Sequence, residues 1–281
     1  MMLHRHFQQM KNVQESEPEP KQKPVMRPKK RRKRRSAFKK AAVFIGTRKV
    51  YGDMVTAAKS LFANSDVDKA FFLIEDDEFP YPIPDEVEIM NMSGQEYISK
   101  SSPNYNSHFT YLCVLRAAFG RIFEDFDLIL NLDDDLVVVD DISDLWEMDL
   151  EGNYCAGVED RGIGRRGYIN GGVVLYNLQA MRDDGITDRM IDILNRQYKQ
   201  YVDQDALNEC CGGKVKLLPL RYNESPVTGR TNDPAIVHYV GTNKTGGSNF
   251  QYRHYWNEYA ALSWDNVAAL RKERYGKGLS I

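Results

Sequence analysis

Three consecutive aspartates, Asp133, Asp134 and Asp135, directly follow the apolar segment 127–132. Adjacent carboxylates repel one another, so folding them together is costly without a cation or hydrogen-bond donors. Alternate side chains of an extended chain point to the same side, so Asp133 and Asp135 can grip one divalent ion. Hard oxygen ligands suit Mg²⁺ or Mn²⁺, which also bind diphosphate oxygens. The spacing therefore predicts a divalent-metal site at the end of a buried strand.

Three other interpretations of the acidic run have to be weighed. A solvated loop is the usual explanation of a bare Asp-x-Asp pattern, but here apolar segments flank the pattern on both sides. An EF-hand calcium loop is disfavoured because Val137 stands where that loop needs Asp or Asn followed by Gly. A haloacid-dehalogenase-like phosphatase also carries Asp-x-Asp, but that fold usually begins with this strand, and here three predicted strands precede it.

Further blocks of sequence follow the acidic run in a characteristic order. They are 141–146 (DISDLW), 168–178 (YINGGVVLYNL), 203–208 (DQDALN), 214–219 (KVKLLP) and 235–244 (AIVHYVGTNK). Together they resemble glycosyltransferase family 8, the group that contains glycogenin and bacterial lipopolysaccharide galactosyltransferases. One block alone is a weak signal, but the shared order over residues 41 to 244 is specific.

The resemblance implies a GT-A fold and a nucleotide-sugar donor, usually UDP-linked, with Mn²⁺ (or Mg²⁺) as cofactor. Carried over to this sequence, it assigns Asp133, Asp135 and His238 as the metal ligands. Two carboxylates and a neutral imidazole are chemically suited to such an ion and leave coordination sites for two phosphate oxygens. The alternative for His238 is a purely structural histidine.

The resemblance also implies a set of residues that bind the donor. Arg116, on the predicted helix before the acidic run, would contact the donor; its alternative is an ion pair with nearby acids. Lys244 would supply positive charge to the diphosphate, and Gly241 would let a backbone N–H approach a phosphate. The full expected nucleotide-sugar-binding set is Thr47, Arg116, Asp134, Glu159, Asn170, Gly171, Gly241 and Lys244.

Gln204 and Asp203 are the expected catalytic residues. Members of the family retain the anomeric configuration, and a retaining glycosidase would place a carboxylate nucleophile against the sugar. Here the matching block offers an amide, a poor nucleophile, so we favour front-face attack with the leaving phosphate as base. Asp203 and Asn170 would hold hydroxyl groups of donor or acceptor. Alternatively, Asp203 caps a helix and Asn170 forms a strand-end turn.

Two segments depart from the family pattern. The loop after the first strand usually contains acids, but residues 47–51 read TRKVY, which leaves the contacts to base and ribose open. The family's Lys-Pro-Trp after the histidine block is replaced by 244–246 (KTG), which removes a tryptophan that would close over the donor.

The elements that must position these residues alternate between strands and helices. Predicted strands are 41–46, 70–75, 87–91, 127–132, 154–158, 169–176, 215–218 and 236–240. Predicted helices are 53–64, 109–123, 187–201 and 203–211. The alternation predicts an α/β fold with a mixed, mostly parallel sheet flanked by helices, and such sheets bind ligands at the carboxyl ends of their strands.

Charge is unevenly divided along the 281 residues. Residues 1–40 carry 14 lysines and arginines and three glutamates, although the whole chain has a net charge of −2. So polar a segment cannot bury enough apolar surface to offset its ordering entropy, which predicts a disordered basic tail. A GT-A domain is expected over 41–249 and a C-terminal helical extension over 250–281. The tail binds either an anionic partner, such as nucleic acid or a membrane surface, or no specific partner.

Composition limits the class of protein. Apolar residues make up 42% and charged residues 28%, which is typical of a globular protein. No transmembrane segment and no secretory signal are recognised, so the expected location is cytoplasmic, with peripheral membrane attachment through the tail as an option. The four cysteines lack the spacing of zinc ligands.

The sequence thus predicts a retaining, metal-dependent hexosyltransferase. It would move glucose or galactose from a UDP-sugar donor to an unidentified acceptor, which could be a glycan, a lipid-linked sugar or a protein. The alternative is a catalytically degenerate sugar- or nucleic-acid-binding protein on the same fold. Metal-dependent turnover would separate the two.

Overall fold

The computed structural model describes residues 40–107, 109–240 and 252–281. The strands of this part of the chain are β1 Ala41–Ile45, β2 Lys69–Ile74, β3 Val87–Asn91, β4 Leu128–Leu132, β5 Leu136–Val138, β6 Cys155–Glu159, β7 Ile169–Asn177, β8 Val215–Leu217 and β9 Ile236–His238. The helices are α1 Tyr51–Ala63, α2 Tyr111–Val114, α3 Phe119–Ile122, α4 Leu178–Asp183, α5 Ile186–Arg196, α6 Val202–Cys211, α7 Arg253–Ala261 and α8 Trp264–Tyr275.

Seven strands form one mixed sheet in the order β3-β2-β1-β4-β7-β6-β8. The first four are parallel to one another, β7 runs antiparallel to both β4 and β6, and β8 is parallel to β6. Every residue of β1 and β4 is buried, which explains why these strands read as unbroken apolar runs. The predicted α/β class and the mostly parallel sheet are confirmed.

A second, two-stranded sheet pairs β5 with β9 in antiparallel register. The sequence analysis predicted β9 but not β5, which has only three residues and directly follows the acidic run. All three β5 residues are buried, and α1 packs against them. This small sheet carries His238 toward the end of β4.

The predicted helix 109–123 is wrong as a single element. The chain instead forms α2, a 3₁₀ turn over Leu115–Ala118, and α3. The 3₁₀ turn contains Arg116, whose guanidinium extends to Asp133 and Asp203, so the tightened turn accompanies the insertion of a cation between two acids. The predicted helix 187–201 likewise ends early, at Arg196.

The last two helices pack on α1. Helix α8 begins with a capping box at Ser263, in which the serine side chain and Asn266 satisfy each other's backbone N–H groups. Residues 1–39, and with them nearly all of the predicted basic tail, lie outside the described residues. The predicted domain limit at 249 and 250 also falls outside them and stays a prediction.

Candidate active site

The carboxyl end of β4 and the start of β7 lie side by side because the two strands are antiparallel. Leu132 is paired with Val173, and the backbone N–H of Asp133 donates to the carbonyl oxygen of Gly172 at 2.9 Å. The segment Asn170–Gly172 therefore lies next to the acidic run.

Strand β5 explains how His238 reaches the same place. In the β5–β9 pair, Leu136 stands opposite His238, and the Tyr239 N–H donates to the Asp135 carbonyl oxygen at 2.8 Å. A histidine about one hundred positions away in sequence is thereby fixed beside Asp135.

Asp133, Asp135 and His238 form a cluster with metal-ligand chemistry. One ligand atom from each lies within 4.8 Å of the others. The His238 Nε2 atom is 3.0 Å from Asp135 Oδ1 and 3.5 Å from Asp133 Oδ2. The imidazole is almost fully buried, whereas both carboxylates are about one quarter exposed. The three predicted ligands are therefore brought together, with their carboxylates reachable from solvent.

Asn223 holds the imidazole from behind. Its Oδ1 atom lies 2.9 Å from His238 Nδ1, and an amide oxygen can only accept a hydrogen bond. Nδ1 must therefore carry the proton, which directs the other ring nitrogen, Nε2, toward the two carboxylates. Histidine ligands of metals are commonly oriented by such a contact.

Arg116 bridges Asp133 and Asp203. Its Nη1 atom is 3.1 Å from Asp203 Oδ2, and its Nη2 atom donates to Asp133 Oδ1. The arginine is 8% exposed and Asp203 only 5%, so this is a largely desolvated pair. Of the two roles weighed for Arg116, the structure contains the ion pair with neighbouring acids.

The buried charges shift one another's pKa values. Burial opposes ionisation of Asp133, but Arg116 and His238 hold the pKa of its carboxyl well below the usual range. Burial raises the pKa of Asp203, and Arg116 only partly counters it. Burial would lower the pKa of His238, but Asp135 and Asp133 outweigh it and raise this pKa to about 10 in the metal-free protein. The cluster thus holds protons or cations strongly.

Gly172 is required by the close packing of this cluster. A Cβ atom at this position would lie 2.1 Å from His238 Cε1 and 2.8 Å from Asp133 Oδ2. Both contacts are far shorter than any real Cβ contact, so an alanine would push the histidine and the aspartate apart. The glycine belongs to the 168–178 block, but the sequence analysis selected only its neighbour, Gly171.

Gln204 is locked in place by the neighbouring strand. Its Oε1 atom accepts a hydrogen bond from the Gly171 N–H at 2.7 Å, and its Nε2 atom donates to Asp160 Oδ2 at 3.4 Å. Asn170 donates to the same carboxylate oxygen at 3.1 Å. The side-chain oxygen of Gln204 is thus already engaged, in agreement with a positioning role rather than a nucleophilic one.

Asp203 does not cap helix α6, because the cap position is Tyr201. The carboxylate instead lies in the first helical turn and pairs with Arg116. Val202 before it has φ of +33°, which a β-branched residue rarely adopts. Such backbone strain is found preferentially at functional sites.

A continuous hydrogen-bonded network joins His238, in the metal-ligand cluster, to Gln204. The Asn223 side-chain N–H donates to Asn170 Oδ1 at 2.9 Å, and Asn170 binds Asp160. His238 is thereby connected through Asn223 and Asn170 to Gln204, all of them buried or partly buried.

Two network members were missed by the sequence analysis. Asp160 lies next to Glu159, which was selected instead, and strand alternation offered no means of choosing between them. The sequence offered no signal for the role of Asn223, because an isolated asparagine in a segment without periodicity looks like a turn residue. Both are less than 6% exposed and fully engaged in hydrogen bonds.

The remaining predicted residues lie elsewhere or cannot be placed. Glu159 accepts a hydrogen bond from the Gly167 N–H at 2.6 Å, outside the network described above. Asp134 lies in the turn between β4 and β5. Gly241 and Lys244 lie outside the described residues, so their predicted phosphate contacts stay predictions.

Thr47 follows β1, whose carboxyl end lies on the same edge of the sheet as that of β4. The basic loop after it is anchored by Asp76, which accepts hydrogen bonds from Arg48 Nε and from the Tyr51 hydroxyl, both at 3.0 Å. The acids that family members usually carry after the first strand are thus replaced by a base paired with an acid at the end of β2.

Comparison with known proteins agrees with this arrangement. General stress protein A of Bacillus subtilis (strain 168) is 26% identical over 198 residues, which cover 58% of this chain and 69% of that protein. Glycosyltransferase GlyE of Streptococcus pneumoniae serotype 4 is 26% identical over 263 residues, covering 82% of this chain and 63% of GlyE. This chain thus spans about two thirds of the length of either relative.

Solved structures share the fold. The crystal structure of GlyE superposes with a TM-score of 0.61 at 24% identity, covering 85% of this chain and 64% of GlyE. The galactosyltransferase LgtC, solved with donor and acceptor sugar analogues, gives a TM-score of 0.59 at 20% identity and is covered over 95% of its length. Fold and site together define a GT-A glycosyltransferase architecture.

The profile described as Glycosyl transferase family 8 matches residues 74–245. This match covers more than half of the chain and includes Asp133, Asp135, Gln204 and His238. The chain belongs to glycosyltransferase family 8, and the resemblance drawn from the sequence is confirmed. It also removes the haloacid-dehalogenase-like alternative. No helix in the described ranges is both long and apolar enough to cross a bilayer.

Proposed function

We propose that this protein transfers a hexose from a UDP-sugar to an acceptor hydroxyl, with retention of the anomeric configuration and a bound divalent metal. One observation carries the proposal: Asp133, Asp135 and His238 converge within 4.8 Å beside the Arg116–Asp203 pair. Family membership supports sugar transfer as the class of reaction. The donor sugar, glucose or galactose, follows from the resemblance alone.

The residues of the cluster fit a metal such as Mn²⁺ or Mg²⁺. Two carboxylates supply hard oxygen atoms, and His238 presents Nε2 because its Nδ1–H donates a hydrogen bond to Asn223 Oδ1. Asp133, Asp135 and His238 would hold the ion. When bound, it would supply positive charge to the diphosphate of the leaving group.

Arg116 and Asp203 prepare the site for the sugar. The guanidinium pairs with Asp133 and Asp203 and favours the ionised form of both carboxyl groups, against burial that opposes it. Asp203 and Asn170 would receive sugar hydroxyls at the edge of the buried network. Lys244 would stabilise the negative charge that develops on the leaving diphosphate.

The hydrogen bonding of Gln204 supports retention without a protein nucleophile. Its side-chain oxygen accepts a hydrogen bond from the Gly171 N–H, and an amide is a poor nucleophile. The bond between the anomeric carbon and the diphosphate oxygen would break while the acceptor hydroxyl approaches the same face. The hydroxyl proton would pass to the leaving phosphate oxygen, and Gln204 would hold the sugar during this exchange.

Donor turnover without an acceptor tests the proposal. The full chain is incubated with UDP-glucose, UDP-galactose and other nucleotide-sugars in Mn²⁺, and release of free nucleotide is measured. Consumption of one donor that stops with EDTA and with Asp135→Ala supports the proposal. Asp140→Ala is a matched control, since this exposed aspartate lies five positions later and pairs with Arg221 at the surface.

Two results would argue against transfer. Nucleotide binding without turnover, even after a panel of glycan and lipid-linked acceptors has been added, would favour the degenerate binding protein on the same fold. The altered loop with Arg48 paired to Asp76 is the observation that keeps this alternative open. Absence of any nucleotide binding in the presence of Mn²⁺ would overturn the transferase function and leave the sugar- or nucleic-acid-binding protein as the better explanation.

A further inference from the structure

A groove of about 780 Å³ lies near the candidate active site, and none of the predicted site residues lines it. One wall is the segment before β7, with Arg165, Arg166 and Tyr168. The opposite wall comes from the residues that lead into helix α6, including Tyr198 and Tyr201. Edge strand β8 forms the floor with Leu217.

The groove concentrates exposed apolar surface. Tyr198 is 67% exposed, Leu217 50% and Tyr201 37%, and these are three of the six large hydrophobic residues that are exposed in the described ranges. Scattered exposed apolar residues are ordinary, but a cluster in one concave place marks a binding site. Tyrosine rings combine an apolar face with a polar hydroxyl, which suits the C–H faces and hydroxyl groups of sugars.

The acids of the groove are already occupied by partners. Asp205 accepts hydrogen bonds from the Tyr168 hydroxyl at 2.6 Å and from the Tyr201 N–H at 2.9 Å. Glu209 pairs with Lys199 at 2.6 Å. Lys199 balances Glu209, so the remaining charges of the lining are two arginines and Asp205, a net of +1.

Arg165 and Arg166 are both exposed, and neither forms an ion pair with a carboxylate among the residues described here. Arg165 stacks over the ring of Tyr168, with 5.9 Å between its guanidinium carbon and the ring centroid. Stacking on the ring leaves the edge of the guanidinium available to an anion. Two adjacent guanidinium groups match carboxylate or phosphate groups in charge and in fork geometry.

The groove lies close to the candidate active site along the chain. Asp205 in its lining directly follows Gln204 on α6, and Tyr168 lies two positions before Asn170. The extended part of a saccharide held near Gln204 would therefore have the two tyrosines and the arginines within reach.

We propose that this groove binds the extended part of an acceptor saccharide that carries carboxylate or phosphate groups. The proposal rests on the transferase function, because only a transferase has an acceptor. The binding of the saccharide itself does not depend on turnover. Tyr198 and Tyr201 would stack on sugar rings, and Arg165 and Arg166 would pair with the anionic groups.

Calorimetry on the full chain tests the groove with defined probes. Maltohexaose is the neutral probe, maltohexaose phosphate carries the same backbone with a phosphate, and hexagalacturonate carries carboxylates. We expect at least one anionic probe to bind about tenfold more tightly than neutral maltohexaose, and the one that does identifies the anionic group. The double variant Arg165→Gln/Arg166→Gln should remove this difference, whereas Tyr198→Ala should weaken all probes that bind.

Arg189→Gln is the control, because this arginine is equally exposed on α5 but lies outside the groove. Equal affinity of neutral and anionic probes, or no binding of any probe, would overturn the proposal, as would an effect of Arg189→Gln equal to that of the double variant. Donor hydrolysis by the groove variants should stay within about twofold of the unchanged protein. Absence of donor turnover by the unchanged protein, with the acceptor panel present, would count against the transferase function without changing the titration results.

Discussion

Two buried arginines of this protein are used in opposite ways. In the site cluster, formed by Arg116, Asp133, Asp203 and His238, the arginine pairs with two carboxylates and its pKa is raised well above the usual value, although burial alone would lower it. In the helix junction, where α8 meets the end of α1, Arg271 is 2% exposed and donates to the Val67 carbonyl oxygen. Burial lowers its pKa.

The difference separates a functional charge from a structural one. Arg271 also lies over the ring of Phe62 at 4.9 Å, and its Nε and Nη1 atoms find no partner among the described residues. Its neighbour Arg274 donates to the Ala63 carbonyl oxygen at 3.3 Å, at the end of α1. The junction uses guanidinium groups to satisfy carbonyl oxygens, whereas the site cluster uses one that favours ionisation of two acids.

The largest expected effect comes from replacing Arg116 with methionine. Arg116→Met leaves Asp133 and Asp203 without their cation, so activity should fall about a hundredfold or more and the free energy of unfolding should fall by about 3 kcal/mol. Donor hydrolysis and urea unfolding measure the two losses. Activity that survives in a folded Arg116→Met protein would show that Arg116 has no functional role.

Two glycines extend the comparison of the site cluster and the helix junction from charge to packing. Gly172→Ala should weaken Mn²⁺ binding about a hundredfold, because the new Cβ would collide with His238 and Asp133. Gly278→Ala, beyond α8, should change nothing, since no atom lies within 4 Å of its Cβ position. Titration with Mn²⁺ checks both, and unchanged affinity in Gly172→Ala would show that the cluster has room to relax.

Two buried asparagines make the next pair. Asn223→Ala removes the acceptor that fixes the His238 tautomer, so Mn²⁺ affinity should fall about tenfold to a hundredfold. Asn64 lies in the helix junction and donates to the Val138 carbonyl oxygen at 2.8 Å, so Asn64→Ala should cost about 1–3 kcal/mol of stability and leave metal affinity unchanged. Equal loss of metal affinity in both variants would contradict the distinction.

Arg271→Met should have the smallest effect. The Val67 carbonyl oxygen loses a charged donor, but two unpaired buried N–H groups disappear at the same time, so we expect a loss of about 1–2 kcal/mol. Donor hydrolysis should stay within about twofold. A collapse of activity at full stability would assign Arg271 a role that the geometry does not explain.

The sequence was sufficient wherever apolar runs carried the signal. Strands β1, β2 and β4 are predicted within one residue, because strands buried on both faces read as continuous apolar segments. The partly exposed edge strand β3 is predicted to the residue. The metal cluster was also predictable, but through the resemblance to a family, since no local pattern connects Asp135 with His238.

Elements whose form depends on tertiary contacts could not be predicted. The broken helix at Arg116 has good helical periodicity, and only the acids beside it explain the 3₁₀ turn. Strand β5 is too short to show alternation, and it exists because β9 pairs with it. Asn223 matters because its side chain accepts a hydrogen bond from His238, and no sequence motif reveals that contact.

The central claim is that Asp133, Asp135 and His238 hold a metal that in turn holds the donor diphosphate. Calorimetric titration of UDP with and without Mn²⁺, on the unchanged protein and on Asp135→Ala, tests it most directly. We predict UDP binding that requires Mn²⁺, is abolished by EDTA and is lost in a folded Asp135→Ala protein. Binding of UDP with the same affinity in EDTA, or undiminished binding by Asp135→Ala, would contradict the account.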